Sequence, residues 1–203
     1  MSEVSSVPTP ADRRKAGHQE ILGETLAKFE FYTHGWHPYS RFLDVDKIDL
    51  ILRRRRDNDV QYREIQVKFG KLYKCRTAWE QRLFSHSSWR FFEEKNLTDL
   101  TAHKGIYLAY VLAPDDGFKG DMFIFPIDEF AAVIRKADRM KNKKYRVFIS
   151  KTHEQPAKWY LRRSWGFSEL DAKTVLDVTP YYRNFACLEE PNPKPHHRIT
   201  PSD

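Results

Sequence analysis

The chain has 203 residues, which is enough for one substantial hydrophobic core and favours a single domain. Its formal net charge of +7 at pH 7 favours a polyanionic partner, and its two cysteines exclude a disulfide-stapled secreted fold. There is no run of about 18 apolar residues and no signal-peptide pattern at residues 1–10, so we expect a soluble, cytoplasmic protein without membrane contacts.

Both ends of the chain are predicted to be flexible tails around one folded domain. Residues 1–13 are polar and rich in Ser and Pro, and residues 189–203 are rich in Pro. The folded domain is therefore expected to occupy residues 14–188.

The first predicted element is a helix at residues 15–33, where apolar side chains recur at helical spacing before a stop signal at Gly35. Residues 36–42 are predicted to be extended, because a proline restricts the backbone there. A β-hairpin follows, with strands at residues 47–54 and 60–69 joined by a short turn.

The second half of the chain is predicted to alternate between strands and helices. Residues 105–112 are almost continuously apolar, which indicates a strand that is covered on both faces. The other predicted elements are strands at residues 121–125, 145–150 and 158–161, and helices at residues 77–95 and 126–137. This order predicts an α/β fold: a single domain with a central mixed β-sheet flanked by helices.

The strand at residues 60–69 has two chemically different faces. Alternation places Glu64, Gln66 and Lys68 on one face, opposite to the apolar side chains. If the hairpin pairs in the right register, Asp49 on the preceding strand lies beside this polar face. The alternative is an amphipathic strand whose polar face is only solvated, but an aspartate enclosed by apolar residues is costly unless it is paired, hydrogen-bonded or bound to metal.

These residue types suit the hydrolysis of a phosphodiester bond by a metal-dependent nuclease. Asp49 is the expected carboxylate ligand, Gln66 offers an amide oxygen, and the Val67 backbone carbonyl adds a third oxygen ligand for Mg²⁺ or Mn²⁺. Glu64 is a further candidate ligand, directly or through water. Lys68 is expected to position or activate water near the phosphate.

Four segments appear in a characteristic order: Gly23-Glu24 in the first helix, Gly35-Trp36, residues 44–51, and residues 64–68. In this order the chain resembles the PD-(D/E)xK nuclease superfamily, especially its restriction-endonuclease-like and Holliday-junction-resolvase-like members with a Gln-x-Lys motif. The resemblance covers roughly the first third of the chain. It implies a restriction-endonuclease-like fold, a DNA substrate, a Mg²⁺ or Mn²⁺ cofactor and a homodimer.

By this resemblance Glu24 looks like the acidic residue that the helix contributes, Asp49 like the metal-binding aspartate, and Lys68 like the catalytic lysine. Gln66 departs from the family pattern, because it stands where a carboxylate is usual, and a neutral amide lowers the charge of the ligand set. Glu20 lies one helical turn before Glu24 on the same face, so it is an alternative to Glu24.

Basic residues supply candidate contacts to nucleic acid. Four arginines lie at the tip of the hairpin, and an aromatic and basic segment spans residues 73–90. The candidate nucleic-acid-binding residues are Arg53, Arg54, Arg55, Arg56, Lys74 and Arg76. Alternatively, the arginines only form a solvated turn, and the tryptophans within residues 73–90, Trp79 and Trp89, only pack in the core. DNA is the expected partner, and RNA is not excluded.

The sequence also allows a function without catalysis. A module that keeps the nuclease fold but has lost its metal through Gln66 and Lys47 would still bind nucleic acid or a protein partner. It would show salt-dependent DNA binding without cleavage.

Overall fold

The computed structural model describes residues 10–40, 47–57, 59–114, 120–137, 140–162, 170 and 175–189, with side chains from residue 17 onward. The expectations for residues 1–9, 41–46 and 190–203 lie outside these described residues. Helix α1 begins at Pro10, inside the segment predicted as an N-terminal tail. Glu189, at the predicted start of the other tail, ends a short 3₁₀ turn.

The described residues form four α-helices and ten strands. The helices are α1 (Pro10–Thr33), α2 (Ala78–Leu83), α3 (Glu94–Thr101) and α4 (Ile127–Ala137). The strands are β1 (His37–Ser40), β2 (Leu50–Arg56), β3 (Asp59–Lys71), β4 (Tyr73–Lys74), β5 (Phe84–Glu93), β6 (Ile106–Ala113), β7 (Asp121–Pro126), β8 (Lys144–Thr152), β9 (Trp159–Arg162) and β10 (Val175–Asp177). Short 3₁₀ turns follow at Thr179–Tyr181 and Phe185–Glu189. The predicted α/β class is therefore confirmed.

The strands make two sheets of five strands each. The first sheet has the order β1-β2-β3-β6-β7 and is mixed, because β3 and β6 are parallel and the other pairs are antiparallel. The second sheet has the order β10-β9-β8-β5-β4 and is antiparallel throughout. The prediction of a single central sheet was wrong, since a second sheet of equal size lies beside the mixed one.

Strand β6 is covered on both faces, as its apolar run predicted. Tyr107, Ala109 and Val111 face a core shared with α1, whereas Leu108 and Tyr110 face a core shared with the second sheet, α3 and α4. The mixed sheet thus separates two hydrophobic cores. Because each core buries its own face of the sheet, the register of β6 and β3 is strongly fixed.

Helix α1 packs against β3 at very close range. A Cβ atom built on Gly23 would lie 2.8 Å from Cβ of Phe69, which is closer than side chains normally approach, so glycine is required at this point. Ala27 and Phe31, one and two turns further along, are fully buried on the same side of the sheet. The glycine contact and the buried stripe together set the distance between α1 and β3.

The helix predicted at residues 77–95 was wrong over most of its length. Only α2 and the first two residues of α3 are helical, and the residues between the two helices form β5, which pairs with β8 over its whole length. The burial pattern alternates: Ser88 and Phe92 are buried towards the first sheet, whereas Trp89 and Phe91 are exposed on the outer face. This period of two suits a strand, and the serines add little helix propensity.

Within the described part of the chain, none of the helices has the length and apolar character that crossing a membrane requires.

Glu94 joins α3, α4 and β8. Its carboxylate accepts hydrogen bonds from the Arg135 guanidinium, at 2.6 Å, and from the Tyr145 hydroxyl. Arg135 first and then Tyr145 lower the pKa of Glu94 from 4.5 to about 2. A carboxyl group with a lowered pKa in the folded state stabilises the fold above pH 4.5, and this contribution is lost as the pH falls towards about 2.

We therefore expect Glu94→Gln to lower the free energy of unfolding at pH 7 by about 1 kcal/mol, a value that allows for solvent screening of a partly exposed group. The dependence of stability on pH between 4.5 and about 2 should also weaken. Urea unfolding across that range measures both effects. The matched control is Glu93→Gln, because Glu93 pairs with Lys144 through side chains that are about half exposed. Equal losses of unfolding free energy in Glu94→Gln and Glu93→Gln would contradict the stabilising role assigned to the Glu94 carboxylate.

Candidate functional site

The candidate site lies where β2 and β3 separate. The ladder between these strands begins at the pair Leu50 and Ile65, and β3 then continues alongside β6 as far as Lys71. Asp49 stands at the point of separation: its N–H donates to the Ile65 carbonyl at 3.0 Å, and its Oδ2 accepts from the Val67 N–H at 2.6 Å. The Asp49 side chain therefore takes the place that a backbone carbonyl would have in a longer ladder.

The Val67 carbonyl points to the same edge as Asp49. In a β-strand the N–H and the C=O of one residue face the same neighbour, and the Val67 N–H already faces Asp49. The carboxylate of Asp49 and the carbonyl oxygen of Val67 are thus directed to one edge of β3. These are two of the oxygens that the sequence indicates as metal ligands.

Gln66 has an unusual environment for an amide. Its side chain is 2% exposed, and its Nε2 donates to the Lys47 carbonyl at 3.0 Å. Its Oε1 is buried and accepts no hydrogen bond from the described residues. A buried amide oxygen without a partner costs about 1–3 kcal/mol, so its retention calls for an explanation.

Lys68 lies between two adjoining pockets. The larger pocket has a volume of about 220 Å³ and is lined by Glu20, Glu24, Val67 and Arg90 besides Lys68. A smaller pocket of about 80 Å³ is lined by Gln66 as well as by Lys68 and Arg90. Since Lys68 and Arg90 line both, the two pockets meet at these cations.

Both acidic candidates of α1 line the larger pocket. Glu24 is half-buried and forms an ion pair with Lys28 at 3.5 Å, whereas Glu20 is exposed. The close contact of Gly23 with Phe69 brings this part of α1 onto β3. The structure thus brings Glu24 and Lys68 together, and it leaves Glu20 as an alternative.

The hairpin arginines lie far from this site. Asp49 precedes β2 and Arg56 ends it, so a rise of about 3.3 Å per residue separates them by roughly 23 Å. Arg54 and Arg56 form ion pairs with Glu189 at 2.7 and 2.8 Å, and the Arg54 guanidinium lies 5.5 Å from the centre of the Trp36 ring. Arg54 and Arg56 therefore fasten the C-terminal 3₁₀ turn to β2. In the described part of the chain, neither Arg53 nor Arg55 lines the two pockets beside Lys68.

Three other candidates lie outside the two pockets. Glu64 is exposed on β3 and lines neither pocket. Lys74 is exposed on β4 in the second sheet, and Arg76 is exposed just after it. Among the described residues, no group of three or more His, Cys, Asp or Glu side chains is arranged to hold a metal ion.

Arg90 is the site residue whose position the sequence did not predict. It lies on β5, its Nη1 donates to the Phe69 carbonyl at 2.6 Å, and it lines both pockets beside Lys68. Its place became visible only when the predicted helix at residues 77–95 proved to be largely a strand. The local sequence carried no signal for this position, because alternation would bury the apolar Trp89 and Phe91 and expose Arg90, whereas the structure exposes these two aromatic residues.

The site therefore combines oxygen donors and cations at one strand edge. Its members come from α1, from the β2–β3 junction and from β5. Comparison of the chain with protein-family models, with curated proteins and with solved structures finds no match. Its function must therefore be argued from the chemistry of these residues.

The hydrogen bond from Gln66 to Lys47 makes Gln66→Glu an informative change. A carboxylate would meet the Lys47 carbonyl in place of an amide donor, so we expect a loss of about 1–3 kcal/mol in the free energy of unfolding without metal. The added charge should tighten Mn²⁺ binding. Urea unfolding in EDTA and calorimetric Mn²⁺ titration measure the two effects.

Gln81→Glu is the matched control for this change. The Gln81 amide also donates to a backbone carbonyl, that of Cys75 at 3.2 Å, but the side chain is exposed. We expect this variant to change neither Mn²⁺ affinity nor stability by more than about 0.5 kcal/mol. An unchanged stability and an unchanged Mn²⁺ affinity in Gln66→Glu would contradict the role assigned to this amide.

Proposed function

We propose that the protein is a metal-dependent nuclease of the PD-(D/E)xK type that hydrolyses phosphodiester bonds in DNA. The observation that carries this proposal is the convergence of Glu24, Lys68 and Arg90 around a pocket at the β3 edge, next to the oxygens of Asp49 and Val67. A strand edge with carboxylates, an amide oxygen and a lysine offers the groups that phosphodiester hydrolysis needs.

The order of elements supports a restriction-endonuclease-like fold. Helix α1 carries Glu24, the hairpin of β2 and β3 follows it, and the β3 edge carries the Gln-x-Lys motif. This is the order of helix, strand and strand in which the motifs of that superfamily occur. The α1 contact at Gly23 further supports the assignment of Glu24 as the helix-borne acid.

The donor set fits a hard divalent cation such as Mg²⁺ or Mn²⁺. Asp49, the Gln66 Oε1 and the Val67 carbonyl would hold the ion, since such cations prefer oxygen ligands. The fit rests on Gln66, whose buried Oε1 accepts no hydrogen bond from the described residues and would gain a partner. When bound, the ion would neutralise negative charge that develops on the phosphate and on the leaving oxygen.

The remaining residues act directly on the substrate. The Lys68 ammonium would orient a water molecule and stabilise charge on the phosphate. The Arg90 guanidinium is held by the Phe69 carbonyl and would contact a phosphate oxygen from the opposite side of the pocket. Glu24 would accept a hydrogen bond from the attacking water.

Asp49→Asn tests the proposal without removing the hydrogen bond to Val67, because an asparagine oxygen can still accept it. Plasmid cleavage in Mg²⁺ or Mn²⁺ should fall by about 100-fold or more, and calorimetric Mn²⁺ binding should weaken strongly. Asp128→Asn, an exposed aspartate at the start of α4, is the control and should behave as the wild type. Equal cleavage by wild type and Asp49→Asn would refute the proposal.

A module that binds nucleic acid without cleaving it is the second candidate. Gln66 favours it, because this residue has an amide where the superfamily usually has a carboxylate, and the amide is engaged with the Lys47 carbonyl. This candidate predicts DNA binding that weakens with salt, with neither cleavage nor Mn²⁺ binding that depends on Asp49.

A further inference from the structure

Three large aromatic side chains stand on the outer face of the second sheet. Tyr73 on β4 is 45% exposed, and Trp89 and Phe91 on β5 are 48% and 49% exposed. Tyr73 pairs directly with Ser87, which lies two residues before Trp89, so all three rings share one face. We call Tyr73, Trp89 and Phe91 the aromatic platform.

Two cations lie over the rings of the platform. The Arg146 guanidinium is 5.4 Å from the centre of the Trp89 ring and 5.9 Å from that of Phe91. The Lys71 ammonium is 5.2 Å from the centre of the Tyr73 ring. These contacts place two cationic groups against the rings, and each of the three aromatic residues is still about half exposed.

The geometry of the rings suits separate bases better than a continuous stack. The centres of the Trp89 and Phe91 rings are 5.7 Å apart, and their planes are nearly perpendicular at 86°. Bases in one strand of a duplex follow each other at about 3.4 Å and cover each other's faces. An extended single strand presents bases that can stack on one ring each.

We propose that the aromatic platform binds unpaired nucleotides of single-stranded DNA beside the candidate active site. This inference rests on the proposed nuclease function for its choice of DNA. Single-stranded DNA is bound by aromatic rings that stack on bases, together with cations that contact the backbone, and Lys71 and Arg146 provide the latter.

The surroundings of the platform favour this occupant over an acidic or purely apolar partner. Glu93, the acidic residue that follows the platform on β5, is neutralised by Lys144 at 2.9 Å. Phe91 also lines the smaller pocket together with Lys68 and Arg90. The Phe91 end of the platform is thus adjacent to this pocket, and a strand on the outer face would pass round this part of β5 to reach Lys68 and Arg90.

The substrate class follows from this adjacency. The protein should prefer DNA in which an unpaired segment adjoins the bond to be cleaved, such as a single-stranded tail or the open arm of a branched molecule. Blunt duplex DNA would meet Lys68 and Arg90 without using the platform.

Binding measured in EDTA tests the platform independently of cleavage. The probes are a fluorescein-labelled oligothymidylate of roughly 12 nucleotides and a blunt duplex of similar length. We expect Trp89→Ala and Phe91→Ala each to weaken binding of the single strand about tenfold and of the duplex less than twofold. Trp89→Phe should retain most of the affinity. Tyr62→Ala, an aromatic that is 53% exposed on β3, should have no effect.

The outcomes separate this inference from the proposed function. Single-strand affinity that is unchanged in Trp89→Ala and Phe91→Ala would overturn the platform, whether or not the protein cleaves DNA. An equal loss of single-strand affinity in Tyr62→Ala would also overturn it, as would tighter binding of oligouridylate than of oligothymidylate. A third contradicting result is a protein dimer that dissociates in Trp89→Ala while the affinity for the single strand stays unchanged. Binding that depends on Trp89 in a protein that never cleaves DNA would support the platform and refute the nuclease.

Discussion

Lys68→Met is expected to lower the rate of DNA cleavage by at least about 100-fold, because it removes the ammonium that lies between the two pockets. Methionine keeps most of the length and apolar volume of the lysine stem, so packing around β3 should change little. A single-turnover assay with protein in excess measures this rate directly. Mn²⁺ affinity should stay close to that of the wild type, since the proposed ligands of the ion are oxygens of other residues.

Lys136→Met is the control for this variant. Lys136 is exposed in the last turn of α4 and lines neither pocket, so its removal also subtracts one positive charge from the chain. Cleavage at the wild-type rate in Lys68→Met would exclude a catalytic role for this lysine. Equal losses in both variants would assign the effect to the net charge of the protein.

Glu80→Ala is expected to lower the free energy of unfolding by about 3–5 kcal/mol, the usual cost of leaving one partner of a buried ion pair alone. Arg162 is fully buried and donates to Glu80, to the Ser150 hydroxyl at 2.8 Å and to the Ser87 hydroxyl at 3.3 Å. Its guanidinium also lies 4.5 Å from the centre of the Phe148 ring. Without Glu80, the buried Arg162 guanidinium would lose this carboxylate partner.

Urea unfolding of Glu80→Ala, Arg162→Met and the double variant measures how much the ion pair contributes to the free energy of unfolding. The double variant should recover part of the stability lost in Glu80→Ala, because it buries no unpaired charge. The exposed Glu154, which pairs with Lys158 at 3.8 Å, supplies a matched control in Glu154→Ala. A loss below about 1 kcal/mol in Glu80→Ala would contradict the buried ion pair.

The elements with clear periodicity were predictable from the sequence. The helical spacing before Gly35 gave α1, and the apolar run at residues 105–112 gave β6 with both faces covered. The pairing of Leu50 with Ile65 is a consequence of burying both on one face, and it brings Asp49 to the Val67 N–H. The core of the candidate site therefore follows from local alternation and the register of one hairpin.

The second sheet could not be predicted in the same way. Trp79 and Leu83 are spaced as in a helix, and this spacing concealed the change to a strand at Phe84. Strand β5 is stabilised by β8, whose residues are about 60 positions further along the chain, so no short window of sequence reports it. Arg90 was consequently not predicted to lie beside Lys68.

The partners of the hairpin arginines could not be predicted from the sequence either. A run of four positive charges in the sequence suits a polyanion, but its partner in the fold is decided by distant residues. Glu189, which neutralises Arg54 and Arg56, follows them by more than 130 positions. Their attraction to phosphate is reduced by a carboxylate that local sequence could not assign to them.

The contact between Gly23 and Phe69 has a consequence for how tolerant the site is to change. Because the helix backbone touches a side chain of β3 there, a single added methyl group must push α1 away from the sheet by a fraction of an ångström or more. Glu24 is the next residue and would move with the helix, whereas Lys68 would stay with the sheet. The distance between Glu24 and Lys68 across the pocket thus depends on the absence of a side chain at Gly23. Gly23→Ala would increase this distance without altering either of the two residues.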